Sequence, residues 1–192
     1  TGRVQVLDNS AHNGARVDMN GGRIDVAAGA EVVKDGGTFV WNDGTLAGPG
    51  SYDQVNGATF ATGGSGARVI DGTQILLPSL DVDAGSLELR SGGLTVGTGG
   101  TRFGTGSTFI VDDGTATLFG PADIANLQVN GGTFDARSSL AVGSLLQSGG
   151  EVRGGGSLTV RDALSTTGGT FAQSWQSIDL TQGAGDLTLN RS

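Results

Sequence analysis

Along the whole chain, apolar residues alternate with polar ones for a few positions and then stop at a turn. Arg3 to Leu7, Leu80-Asp81-Val82, Leu87-Glu88-Leu89, Leu94-Thr95-Val96, Leu127-Gln128-Val129, Leu158-Thr159-Val160 and Leu187-Thr188-Leu189 all read this way. A period of two places one face of a strand in a core and the other in water. Gly, Asn-Gly or Asp-Gly ends each run, as at Asn20-Gly21, Asp43-Gly44, Asp113-Gly114 and Asn130-Gly131. Such pairs supply turns of positive φ at little steric cost. The pattern predicts many short strands and no extended helix. Pro121 to Ala125 is the one stretch read as a brief helical or loop excursion.

A second pattern lies over the first. Two small residues followed by Thr-Phe occur at Gly36-Gly37-Thr38-Phe39, Gly57-Ala58-Thr59-Phe60, Gly106-Ser107-Thr108-Phe109, Gly131-Gly132-Thr133-Phe134 and Gly168-Gly169-Thr170-Phe171. Looser copies stand at Gly21-Gly22-Arg23-Ile24, Gly92-Gly93-Leu94 and Gly149-Gly150-Glu151-Val152. The recurrence averages roughly 20 residues, with drift. Stacked hairpins give no reason for one side chain to return at that interval. A solenoid does, because equivalent positions of successive turns lie about 4.8 Å apart and like residues stack. The expected fold is all-β, a right-handed parallel β-helix of about nine to ten coils of roughly 20 residues. Phe39 over Phe60 and Phe109 over Phe134 are its expected aromatic ladders.

Composition agrees with this pattern. Glycine accounts for 37 of 192 residues, far above the usual level of about 7 per cent. Three prolines and no three-residue period exclude collagen, and a charged fraction of 16% is too low for a disordered chain. Ordering a turn of about 20 residues costs ~1–2 kcal/mol per residue in backbone entropy. A handful of buried apolar side chains returns only ~1.5–3 kcal/mol each. One turn cannot stand alone, so stability must come from stacking. Residues 1–192 form one solenoid segment with no composition break. The chain begins Thr-Gly-Arg without a signal peptide, and a rod exposes strand edges at both ends. It is therefore expected to be a segment of a longer secreted chain.

Charge narrows the partners. The net charge is −8 and no basic cluster exists, so nucleic acid and anionic membrane surfaces are poor partners. No apolar run approaches the ~20 residues that span a bilayer. With no cysteine, disulfides and thiolate chemistry are excluded.

The passage from Phe39 through Trp41-Asn42-Asp43-Gly44 to Tyr52, followed by Asn56-Gly57-Ala58-Thr59, resembles repeats of filamentous haemagglutinin-like exoproteins. So do Ala163 to Phe171 and Gly185-Asp186-Leu187-Thr188. These exoproteins are the secreted partners of two-partner secretion, and autotransporter passengers are similar in style. The resemblance covers nearly the whole chain and implies a secreted or Gram-negative cell-surface protein acting in adhesion, aggregation or biofilm. It also implies an outer-membrane transporter during export. The family's Asn-Pro-Asn secretion motif is absent, which leaves the export route open, and no functional residue carries over.

Candidate chemistry is sparse. His12, the one histidine, is read as an exposed turn residue. Asp81 and Asp83 share the wet face of a strand, and Asp112-Asp113-Gly114 reads as a turn; paired carboxylates can act as acid and base when about 5–9.5 Å apart. The Gly-Gly-x-Gly-x-Asp repeat of calcium-binding rolls is missing. Trp41 is placed in the core by its spacing from Phe39, whereas Trp175 is the aromatic expected at the surface. Asn190-Arg191-Ser192 matches a glycosylation sequon. No catalytic, cofactor-binding or metal-ligating residue is assigned. The expected function is a non-catalytic adhesive shaft meeting surface glycans, proteins or copies of itself. The alternative is a carbohydrate-active β-helix, whose mark would be Asp83, Asp112 or Asp113 converging with an Arg in one groove.

Overall fold

The computed structural model describes residues 3–6, 10–171, 175–180 and 187–189, with side chains from 14 to 171 and 175 to 180. Among them there is no helix. Every strand pairing is parallel, and all strands belong to one continuous sheet wound into a β-solenoid. The chain makes about eight turns, fewer than the nine to ten expected. The expectation assumed a nearly constant period, and the real turns are unequal.

Each turn carries three faces. Face 1 stacks segments 23–26, 45–47, 68–71, 86–89, 108–111, 126–129, 144–147 and 163–166. Face 2 stacks 31–35, 51–55, 74–77, 93–96, 115–118, 133–136 and 151–154. Face 3 holds 16–19, 38–41, 59–62, 80–82, 101–103, 122–124, 140–142, 158–160 and 177–180. Residues 122–129 are thus a strand, not the excursion expected near Pro121. Ala122 and Ile124 point inward at equivalent places to Thr101 and Phe103, so the stack imposes the strand. His12 likewise lies in a strand, Ser10–Asn13, in register with Lys34, and not in a turn.

The core is built from inward rows that run along the rod. On face 1, Leu87, Phe109, Leu127 and Leu145 stack in register, beside Ile70, Leu89, Val111 and Val129. On face 3, Val82, Phe103, Ile124, Val142 and Val160 do the same. All of these are fully or almost fully buried. Strand edges supply hydrogen bonds to both neighbours, which is what the isolated turn lacked.

Glycine fixes one of the corners. Gly132 and Gly150 have φ of 61° and 63°, and a Cβ on Gly150 would lie 2.5 Å from the backbone of Gly131. No L side chain fits there, because successive corners nest backbone on backbone.

The Thr-Phe motif marks entry into a strand after such a corner, but not a fixed place in the turn. Its copies fall on face 3 at 38–39 and 59–60, on face 1 at 108–109, and on face 2 at 133–134 and 170–171. Phe39 does stack on Phe60, in register, with ring centroids 5.7 Å apart and planes at 23°. Phe109 does not ladder with Phe134. It is level with Leu127, meets Phe134 edge-on across the core at 6.0 Å, and stacks on Phe103 at 5.1 Å. Trp41 is buried as expected. Trp175 is also buried, against expectation: it lies over Gly154, where a Cβ would collide with it, and stacks on Phe171.

Candidate functional site

The alternation Leu80-Asp81-Val82 buries both apolar residues and turns Asp81 outward, and Asp83 is exposed just beyond the strand. One turn later the stack places Arg102 level with Asp81, and one turn after that Asp123 level with Arg102. The result is an acid–base–acid row on the outside of face 3. Arg102 Nη2 lies 3.0 Å from Asp81 Oδ1 and also pairs with Asp83. These two carboxylates, Asp81 first, hold the Arg102 guanidinium above its usual range.

The row continues by reach. The next outward position is Ala141, with Gly143 at the adjoining corner, and neither side chain fills the surface. Arg161 extends across this gap to Asp123, with Nη1 3.5 Å from Oδ2 and Nη2 making the closer bond. Asp162 stands beside it at the rim. Two corners rise on either side of the row. One is formed around Gly99, Gly100 and Pro121, the other by 104–106 and Asn126. The second projects because the chain spends four residues between Phe103 and Thr108 but only one, Ala125, between Ile124 and Asn126. Under that projection lies a groove of about 400 Å³, continuous through Arg102 and Asp123 with a second of about 550 Å³.

Of the residues singled out from sequence, Asp83 pairs with Arg102, which lines the groove, and Asp81 lines the groove itself. Asp112 and Asp113 do neither. Asp112 accepts a hydrogen bond from Asn130 Nδ2 at 2.7 Å, and Asp113 caps the Gly114 amide at 2.8 Å, both at the corner between faces 1 and 2. Asp123, Arg161 and Asp162 went unnoticed in the sequence; the only signal was Asp123 alternating with Ala122 and Ile124. Trp41, Tyr52 and Trp175 offer no sugar-stacking face, since all three are buried. Among the described residues no group of three or more His, Asp or Glu is placed to hold a metal ion. The side chain of His12 and the sequon at Asn190 lie outside the described residues.

Chemically, the row presents planar donors and acceptors, with the carboxylates of Asp81, Asp83, Asp123 and Asp162 outnumbering the guanidiniums of Arg102 and Arg161. No protein-family model, curated protein or solved structure matches the chain.

Proposed function

We propose that this chain is a non-catalytic shaft of a secreted or surface-displayed bacterial adhesin, offering its faces to glycans, proteins or further copies of itself. Export through an outer-membrane transporter of a Gram-negative cell belongs to the same reading. One observation supports it most. The groove carboxylates are engaged and wet: Asp81 and Asp83 share Arg102, Asp123 holds Arg161, and their side chains are 56%, 70% and 57% exposed. Glycoside cleavage needs one carboxyl kept protonated by apolar surroundings, opposed to a second that stays ionised. With more than half of each side chain in water, none of the three is shielded in that way.

The second reading, a carbohydrate-active β-helix, draws on the convergence of Asp81, Asp83 and Arg102 beside Asp123. A panel of polysaccharides and immobilised glycans, scored for retention of the protein and for new reducing ends, separates the two. Retention without new ends is expected. New ends that vanish in Asp83→Asn or Asp123→Asn would make the protein an enzyme and overturn the shaft.

A further inference from the structure

Asparagine stands directly before glycine at Asn13, Asn20, Asn56 and Asn130. Such a pair carries a latent reaction. The glycine nitrogen can attack the side-chain amide, and glycine has no Cβ to hinder the approach. The reaction needs a glycine N–H that is free of an acceptor and a backbone with room to close the ring.

The solenoid withdraws three of these pairs. The Gly14 amide donates to Asp35 O at 2.8 Å. The Gly131 amide shares Val111 O with the Asn130 amide, at 3.3 Å and 2.8 Å, and a Cβ on Gly131 would lie 2.2 Å from Asp112 O. The Asn130 side chain is held at both ends, with Nδ2 donating to Asp112 Oδ1 at 2.7 Å and Oδ1 accepting from Ser148 Oγ at 3.0 Å. Asn20 and Gly21 lie inside strand Arg16–Val26, and Asn42 of the next turn donates to Asn20 Oδ1 at 2.6 Å.

Asn56-Gly57 differs on each count. It forms the corner between faces 2 and 3, both residues are exposed, and their φ values are 50° and 73°. Asn56 is the one non-glycine with a positive φ among the described residues. The Ala58 amide closes the turn on Val55 O at 3.1 Å. The Gly57 amide has no acceptor among the described residues, and nothing lies within 4 Å of a Cβ built on Gly57. One contact holds the Asn56 side chain: Nδ2 donates to Asp35 Oδ1, one turn back, at 2.9 Å. A corner tied by so few bonds opens locally at little cost.

We propose that Asn56 is the site at which this protein deamidates, and that the conversion loosens the corner. The Gly57 nitrogen gives its proton to hydroxide and bonds to Asn56 Cγ. The Cγ–Nδ2 bond breaks, and ammonia leaves with a proton from water. Water then opens the succinimide at either carbonyl, leaving aspartate or isoaspartate. Aspartate puts a carboxylate where a donor had faced Asp35, so an attraction becomes the approach of two like charges. Isoaspartate lengthens the backbone between strands 51–55 and 59–62, whose registers are fixed by the turn below. The corner leads into Phe60, which stacks on Phe39 in the core, so the damage should reach the earlier turns. None of this depends on the adhesive reading.

Folded protein is incubated in ¹⁸O-labelled water at mildly alkaline pH beside a sample unfolded in urea, and digests are read by mass spectrometry. In the fold, label should enter at Asn56 about tenfold or more faster than at Asn13, Asn20 or Asn130; in urea all of them should react at similar rates. The unfolding midpoint of the folded sample should fall as label accumulates, and fresh Asn56→Asp should start low. Asn56→Gly keeps a residue suited to positive φ but has no amide to lose, so its midpoint should stay constant. Label arriving first at another pair, or the same ranking in urea as in the fold, would overturn the site. So would an unlabelled Asn56 once the urea sample has reacted throughout. A midpoint that drifts equally in Asn56→Gly, or an Asn56→Asp as stable as wild type, would overturn the loosening.

Discussion

The turns between residues 16 and 77 and those between 108 and 160 solve the same stacking problem differently. In the later region successive positions recur every 18 residues, as from Ala122 to Leu140 or Thr133 to Glu151. The inward rows there are almost wholly apolar, with Gln147 the exception, and Asp135 is buried on the outward side. In the earlier region the step varies, from Met19 to Trp41 and from Gly44 to Arg68. Its core holds Lys34, Gln54 and Arg68, together with Trp41, Tyr52, Phe39 and Phe60. A short corner nests on the one below and satisfies its own backbone. In a long corner such as 63–66 the Gly66 carbonyl accepts from the Ser86 amide of the next turn at 3.2 Å, whereas the Gly63 and Gly64 carbonyls take a side-chain donor. Arg68 supplies it. It occupies the inward row continued by Leu87 and Phe109, and donates to the carbonyls of Trp41, Gly63, Gly64, Gly66, Ala84 and Ser86 at 2.6–3.3 Å. Burial pulls its pKa down, and the Asp43 carboxylate opposes that pull. The irregular turns thus substitute a guanidinium for ladder hydrogen bonds.

Arg68→Leu attacks that device directly. Leucine suits the row and would recover ~1.5–3 kcal/mol of apolar burial. Against this stand several carbonyls that lose their only side-chain donor, at ~1–3 kcal/mol for each that stays buried. The loss should win by about 3 kcal/mol. Urea unfolding would show it, and hydrogen exchange should localise early opening to 41–47 and 67–71 while 122–160 stays protected. A variant as stable as wild type would mean that the earlier turns merely tolerate the charge.

Gly150→Ala makes the corresponding attack on the regular region. A left-handed φ costs ~1–2 kcal/mol for an L residue, and the collision with Gly131 adds overpacking of ~1–3 kcal/mol. The sum, about 2–5 kcal/mol, should appear as a lower unfolding midpoint. Gly106→Ala is the control: its φ is 81°, but nothing lies within 4 Å of an added Cβ, so only the ~1–2 kcal/mol conformational cost applies. Equal effects at the two glycines would refute the nested corner.

The same contrast explains what could be read from the sequence. Alternation at Leu94-Thr95-Val96 or Leu158-Thr159-Val160 declares a strand because one phase is apolar, and the glycine corners declare where it stops. Neither declares which face the strand occupies, since all three faces use the same code; hence Phe109 and Phe134 were assigned to one ladder. Arg68 was invisible because Val69 and Ile70 are both apolar and leave the phase undefined. Asp81 was legible from its own neighbours, whereas the Asp123–Arg161 pair exists only through stacking across 38 residues. Asp135 looked like any surface carboxylate, and only Arg137 and Arg153, closing over it, bury it.

The smallest expected effect concerns the outside of the earlier region. Arg16 donates to Asp18 two residues away on the same strand, Nη2 to Oδ1 at 2.8 Å, and this bond holds the Asp18 carboxyl below its usual range. A carboxyl depressed on folding adds stability above its unfolded pKa of about 3.9 and loses it as pH falls through the folded value. The pair is exposed, so its contribution is screened and slight. The melting-temperature difference between wild type and Asp18→Asn should therefore be small and in favour of wild type near pH 7. It should shrink with added salt and close below the depressed pKa, where both side chains are neutral. A difference that persists in acid would show that Asp18 acts by packing and not by charge. The outer surface of the earlier turns would then owe its order to the same space-filling that governs the regular ones.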